Sequence, residues 1–97
     1  MRLSTSEVES IVASVQKYDP MAKVFLYGSR TDDTKKGGDI DLLVISEKIN
    51  FETKLKIILS IQALIGEQKI DLKTLSNSQC QADEFYKSIK DKMLCLA

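Results

Sequence analysis

The sequence has no histidine or tryptophan, one proline, four glycines and two cysteines among its 97 residues. Without histidine, Ser-His and Cys-His catalysis is excluded, and a zinc site is disfavoured because zinc prefers His and Cys ligands. Cys80 and Cys95 form no Cys-x-x-Cys motif, so we expect free thiols in a reducing, cytoplasmic environment. The sequence also lacks an apolar run of about 18 residues and a basic-then-apolar leader, so we expect neither a membrane span nor a signal peptide.

Charge of either sign is not in excess. Lys plus Arg and Asp plus Glu each number 14, so no overall basic field would attract nucleic acid, and we expect no direct nucleic-acid binding. The length predicts one domain, residues 1–97, and a hydrophobic content of 43% is enough for an ordinary core. Acidic side chains and a divalent cation remain as the source of chemistry.

One stretch combines two predicted strands with a polar loop. Val24–Tyr27 is short, apolar and rich in β-branched and aromatic residues, which predicts a strand that ends at the Gly28-Ser29 turn. Residues 30–38 form the loop. Ile40–Ile45 is apolar except for one aspartate, a pattern typical of a strand covered on both faces.

Asp39 and Asp41 begin that second strand. Side chains at i and i+2 share one face of a strand, about 6.5 Å apart along the chain, so the two carboxylates should lie together. Desolvating unpaired carboxylates is unfavourable, and a hard divalent cation between them would remove the repulsion. Oxygen ligands without His or Cys suit Mg²⁺, or Mn²⁺ in its place. The alternative is that both aspartates simply face water.

The remaining pattern predicts three helices and a third strand. Residues 4–18 and 51–68 read as helices, 69–75 as a strand, and about 77–96 as a last helix whose packed face repeats every four residues. We expect the second helix to bury one broad stripe, or to use part of it against a partner; its members are Leu55, Ile58, Leu59, Gln62, Leu64 and Ile65. The predicted fold is α/β (α+β), a small mixed sheet with packed helices in the order α-β-β-α-β-α.

The Gly28-Ser29 turn, the loop and Asp39-Ile40-Asp41-Leu42 resemble the signature of the polymerase-β-type nucleotidyltransferase superfamily. The short chain is most similar to the minimal nucleotidyltransferases (MNT), including those that act as antitoxins. Those proteins usually have ten residues between the Ser and the first Asp, often with an Ala-Arg-Gly stretch. This chain has nine and lacks that stretch.

The resemblance implies roles for particular residues. Asp39, Asp41 and Asp71 would be catalytic and would bind the metal, with Asp71 as the superfamily's third carboxylate. The alternative for Asp71 is a solvated position on an edge strand. Gly28, Ser29 and Arg30 would bind the nucleotide; Lys35 and Lys36 would either balance pyrophosphate charge or only solubilise the loop.

The same resemblance implies an activity and a partner. Mg²⁺-dependent transfer of AMP from ATP, or of another nucleoside monophosphate from its triphosphate, to a tyrosine of a HEPN-type helical toxin would make this protein an antitoxin. Two alternatives stay open: a binding module that neutralises its partner by contact alone, and an enzyme or catalytic subunit that modifies a small molecule such as an aminoglycoside. A homo-oligomer is compatible with an enzyme that modifies a protein and with one that modifies a small molecule.

Overall fold

The computed structural model describes residues 2–32 and 38–97, and for Ser29 only the backbone. Its helices and strands, in chain order, are α1 (Thr5–Gln16), β1 (Lys23–Tyr27), β2 (Ile40–Ile45), α2 (Phe51–Ile65), β3 (Ile70–Leu75), α3 (Asn77–Cys80), α4 (Glu84–Ile89) and β4 (Leu94–Cys95). A 3₁₀ turn, Gly28–Thr31, follows β1 directly. The fold is a small mixed sheet with packed helices, as the sequence predicts.

The sheet has the strand order β3-β2-β1-β4. The β1–β2 and β1–β4 pairs are antiparallel, whereas β2 and β3 run parallel and are joined through α2. Four of the five apolar residues of β2 are fully buried and the fifth, Ile45, is 7% exposed, which confirms the strand covered on both faces. Asp41 is the second residue of this buried strand, at its N-terminal end.

Two apolar clusters cover the two faces of the sheet. The larger lies under α1 and α2 and includes Val24, Leu26, Leu42, Val44 and Leu72. The smaller lies on the opposite face under α3 and α4, around Leu43, Ile45, Leu75 and Cys80. Because side chains alternate along a strand, Asp41 and Asp71 belong to the face of the smaller cluster, beyond its edge.

Helix α1 begins at the expected cap. The Ser4 hydroxyl accepts a hydrogen bond from the Glu7 N–H, and the Glu7 carboxylate accepts one from the Ser4 N–H. This capping box satisfies two N–H groups that would otherwise lack partners at the helix start. Ile11 and Val15, both fully buried, then fix the helix on the sheet.

Helix α2 buries only part of the predicted stripe, because Ile58 and Ile65 pack against the larger cluster but Leu55 and Leu59 do not. Ile57 and Ile61 face the core and are 0% exposed, whereas Leu55 and Leu59 are 46% and 67% exposed. Phe51 is also 71% exposed at the same helical spacing. Apolar residues surround more than half of this helix, so periodicity alone did not determine which side meets the sheet.

The single last helix predicted for residues 77–96 is wrong. Asp83 begins a separate helix, because its carboxylate accepts a hydrogen bond from the Tyr86 N–H at 2.8 Å. After α4 the chain turns and adds β4 to the outer edge of β1. Tyr86 of α4 is partly buried against the smaller cluster.

Among the described residues, none of the helices is both long and apolar enough to cross a membrane.

Candidate active site

Three polar side chains form a row across the sheet, from β1 through β2 to β3. Tyr27 is the register partner of Asp41 in the antiparallel pair, and Asp41 is the register partner of Asp71 in the parallel pair. Neighbouring strands lie about 4.8 Å apart, so the two carboxylates stand side by side on one face. The structure thus brings together two of the three predicted catalytic aspartates, although nearly thirty positions separate them in the sequence.

The electrostatics of this row reflect uncompensated negative charge. Partial burial raises the pKa of Asp41, and the charges of Asp71 and Asp39 raise it further, with Lys69 opposing them. Burial raises the pKa of Tyr27 to about 12, and Asp71 and Asp41 add to the shift. A divalent cation would relieve this repulsion, because it would favour the ionised carboxylates.

Gly28 makes room for Asp41. Its φ of +78° is one that other residues rarely adopt, and a Cβ at this position would overlap the Asp41 carboxylate. The resemblance implies that Gly28 binds the nucleotide. In the structure, the side chain that comes close is Asp41.

Asp39 precedes β2 and forms an ion pair that the sequence analysis missed. The Lys69 Nζ lies 3.4 Å from the Asp39 Oδ2, and both side chains are substantially exposed. Their proximity depends on the parallel register of β2 and β3, which the intervening helix hides in the sequence.

A metal site is only partly assembled in the described residues. Within residues 2–32 and 38–97, no three His, Cys, Asp or Glu side chains converge closely enough to hold a metal ion. The adjacent carboxylates of Asp41 and Asp71 have the oxygen donors and the charge that suit Mg²⁺ or Mn²⁺.

The Arg30 side chain donates hydrogen bonds to three separate segments of the chain. Its guanidinium donates to the Arg2 carbonyl at 2.9 Å, the Gln68 side-chain oxygen at 3.0 Å and the Gly38 carbonyl at 3.2 Å. Gln68 in turn donates to Glu7 at 3.1 Å. The Ser4 N–H and the Gln68 amide lower the pKa of Glu7, and the more distant Arg30 charge adds to the effect. The predicted nucleotide-binding residue therefore joins the two ends of the loop to α1.

Two lysines predicted in the loop, Lys35 and Lys36, lie outside the described residues, as does the side chain of Ser29. The Ser29 backbone lies in the 3₁₀ turn that follows β1, next to Gly28. This places the predicted Gly-Ser turn at the same end of the sheet as Asp41.

A second group of side chains contacts the row at Tyr27. The ring of Phe85, on α4, meets the ring of Tyr27 edge-on, with 5.1 Å between centroids. The Lys73 Nζ lies 4.8 Å from the Phe85 ring centroid and 3.9 Å from an Asp83 carboxylate oxygen. These contacts attach α4 to β1 and β3 and hold the Lys73 ammonium on α4.

Comparison with known proteins agrees with this geometry. The family described as "Polymerase beta, Nucleotidyltransferase" has a model that matches residues 9–95, from within α1 to β4. No curated protein matches the chain. The family match covers the Gly-Ser turn, the three aspartates and the whole sheet. The chain therefore belongs to the polymerase beta nucleotidyltransferase family.

Proposed function

We propose that the protein transfers AMP from ATP to a hydroxyl group in a Mg²⁺-dependent reaction, and that the acceptor is a tyrosine of a HEPN-type toxin, which makes the protein an antitoxin. The observation that carries the catalytic part is the pairing of Asp41 with Asp71 beside the Gly28 turn. Asp41 is partly buried and Asp71 is exposed on the terminal strand, and their adjacency raises the pKa of Asp41. An inactive scaffold would have no physical need for this repulsion.

The chain's own residues would divide the reaction as follows. The 3₁₀ turn, with Gly28 and Ser29, would hold the phosphates of the triphosphate near Asp41. Asp71 would take the proton of the acceptor hydroxyl. The acceptor oxygen then forms a bond to the α-phosphorus while the bond from that phosphorus to the bridging α–β oxygen breaks. Pyrophosphate leaves with the electron pair of the broken bond, so charge and atoms balance.

Mg²⁺, when bound, would supply charge neutralisation for the attacking and leaving oxygens. Asp41 and Asp71 would hold it, together with Asp39 once its carboxylate leaves Lys69. The set contains only carboxylate oxygens, which favours Mg²⁺ or Mn²⁺ over zinc.

A protein acceptor is supported by the exposed side of α2. Phe51, Leu55 and Leu59 recur every four residues and remain 71%, 46% and 67% exposed. Such a strip on one side of a helix is typical of surfaces that bind another protein. It is the observation that favours a protein partner, which would contact α2 on the face of the sheet opposite Asp41 and Asp71.

The test is transfer to the candidate partner. The purified protein is incubated with Mg²⁺, α-phosphate-labelled ATP and any HEPN-type protein that a neighbouring gene encodes, followed by intact mass measurement and peptide mapping. We expect one or more AMP additions on a partner tyrosine, lost when that tyrosine is changed to phenylalanine.

Matched variants separate chemistry from folding. Asp41→Asn should abolish transfer, and Asp39→Asn and Asp71→Asn should do the same. Asp91→Asn makes the same change at an exposed position after α4 and should leave transfer intact. A tight complex without AMP addition would instead establish antitoxin action by contact alone. AMP transfer to an aminoglycoside, with none to the protein, would establish the small-molecule reaction.

A further inference from the structure

We infer that Lys69 serves the active site in two ways: its ammonium neutralises Asp39 when no divalent cation is bound, and it binds a phosphate oxygen of the nucleotide once a cation has taken Asp39. This inference rests on the proposed nucleotide substrate. It assigns to Lys69 the phosphate contact that the sequence pattern suggests for Arg30.

The position of Lys69 is fixed by the sheet. The Ile40 N–H donates to the Lys69 carbonyl at 3.0 Å, so the backbones on either side of the Asp39–Lys69 ion pair are joined. The ammonium therefore stays within reach of the carboxylates even after the ion pair breaks. Its electrostatic effect already extends to Asp41, whose pKa it lowers against the stronger effects of burial, Asp71 and Asp39.

The ion pair itself is easily exchanged. The Lys69 side chain is 78% exposed and the Asp39 side chain 45% exposed, and ion pairs in such surroundings contribute little to stability. A divalent cation carries twice the charge of the ammonium and binds carboxylate oxygen directly. It would therefore replace Lys69 at Asp39 and leave the ammonium without its partner.

Two other cations near the site have partners that a metal ion would not remove. Among the described residues, Arg30 is held by the two backbone carbonyls and the Gln68 amide, and Lys73 by Asp83 and the Phe85 ring. Lys69 differs from both because its partner is itself a predicted metal ligand. The phosphate charge that arrives with the nucleotide would then restore a counter-ion to Lys69.

The test measures two affinities of the whole chain, which we expect to change in opposite directions in one variant. Mn²⁺ binding is followed by electron paramagnetic resonance, and binding of α,β-methylene-ATP, which cannot be cleaved between its α- and β-phosphates, is followed by calorimetry at saturating Mn²⁺. Lys69→Met removes the competing ammonium, so we expect Mn²⁺ to bind about two- to fivefold tighter, the size of an exposed ion pair. The same variant should bind the nucleotide analogue about fivefold or more weakly, since a charge-assisted contact is lost.

Two further variants act as controls. Lys73→Met removes the same charge four residues further along, inside β3, and should leave both affinities within about twofold of the wild-type values. Lys69→Arg keeps the charge and should retain both affinities. A thermal melt of each variant shows that it is folded.

The outcomes distinguish the two proposals. If the wild-type protein binds neither Mn²⁺ nor the analogue, the proposed function fails and this inference fails with it. If the wild-type protein binds both, but Lys69→Met leaves the affinities unchanged or shifts them in the same direction, only the role of Lys69 is overturned. Opposite shifts in Lys69→Met, absent in Lys73→Met, support it.

Discussion

Replacing Gly28 by alanine should destabilise the fold and displace Asp41 at the same time. The substitution has two separate costs. The first is the φ of +78°, which disfavours any residue with a Cβ, and the second is the overlap of that Cβ with the Asp41 carboxylate. Because Asp41 has a short side chain at the start of β2, the crowding is relieved either by backbone strain or by moving the carboxylate away from Asp71.

Gly66 offers a matched control for the first cost alone. It lies at the end of α2 with φ +97° and ψ 176°, and a Cβ there would meet nothing within 4 Å. A residue with a Cβ in this region costs about 1–3 kcal/mol, so Gly66→Ala should lose about that much stability. Gly28→Ala should lose a further 1–3 kcal/mol or so, the typical cost of crowding a packed position.

The assay is thermal unfolding of both variants in the wild-type and Asp41→Ala backgrounds. A change of 1 kcal/mol shifts the Tm of a domain this size by about 4–8 °C, so Gly28→Ala should melt about 4–24 °C below Gly66→Ala. In the Asp41→Ala background the extra loss should disappear, because the overlapping carboxylate is gone. The reasoning is refuted if Gly28→Ala costs no more than Gly66→Ala, or costs the same in both backgrounds.

Three other substitutions test separate parts of the structure. The pKa of Asp41 is raised above 3.8 in the folded chain, so the folded state binds the Asp41 proton more tightly and loses stability as pH rises. The Asp41→Asn variant should therefore unfold at a higher temperature than the wild type at pH 7 and at the same temperature well below pH 3.8. A stability gain that persists at low pH would contradict this cause. The Ser46 hydroxyl donates to the buried Asp19 carboxylate at 2.5 Å and holds the pKa of Asp19 below 3.8, which stabilises the fold above that pH and not in acid. Ser46→Ala should lower the free energy of unfolding in urea by about 1–3 kcal/mol at pH 7 and reduce the loss of stability as pH falls. An unchanged free energy of unfolding would show that the carboxylate has found another donor. The Leu96 N–H donates to the Val24 carbonyl at 2.8 Å, and proline has no N–H to donate. Leu96→Pro should therefore lower the free energy of unfolding by about 1–3 kcal/mol. An unchanged melting curve would show that β4 contributes nothing to the stability of the sheet.

Local patterns were sufficient to predict the turn at Gly28 and the buried strand that contains Asp41. The strand, the Gly28 turn and the buried strand that contains Asp41 all lie within twenty-two residues, and the alternation of side chains places Asp41 on a defined face. Lys69 could not be found in this way. Its contact with Asp39 depends on the register between β2 and β3, two segments that α2 separates in the sequence.

The elements that were predicted wrongly share a related cause. In α2, apolar residues on several sides gave no local reason to prefer Ile57 and Ile61 over Leu55 and Leu59; the sheet makes that choice. After α4, Met93 continues the spacing of a helix, yet the chain pairs with β1 as a strand. A two-residue strand is stabilised by its neighbour, more than by its own sequence.

The outer edge of β3 has a consequence for solubility. In the described part of the sheet, β3 is a terminal strand that pairs only with β2, so its other side presents unpaired backbone groups that could template aggregation. Lys69, Asp71 and Lys73 alternate in sign along this segment. A second copy docked edge to edge would have to bring these charges into contact with its own. These charged side chains, some of them in the candidate active site, therefore also protect the strand against self-association.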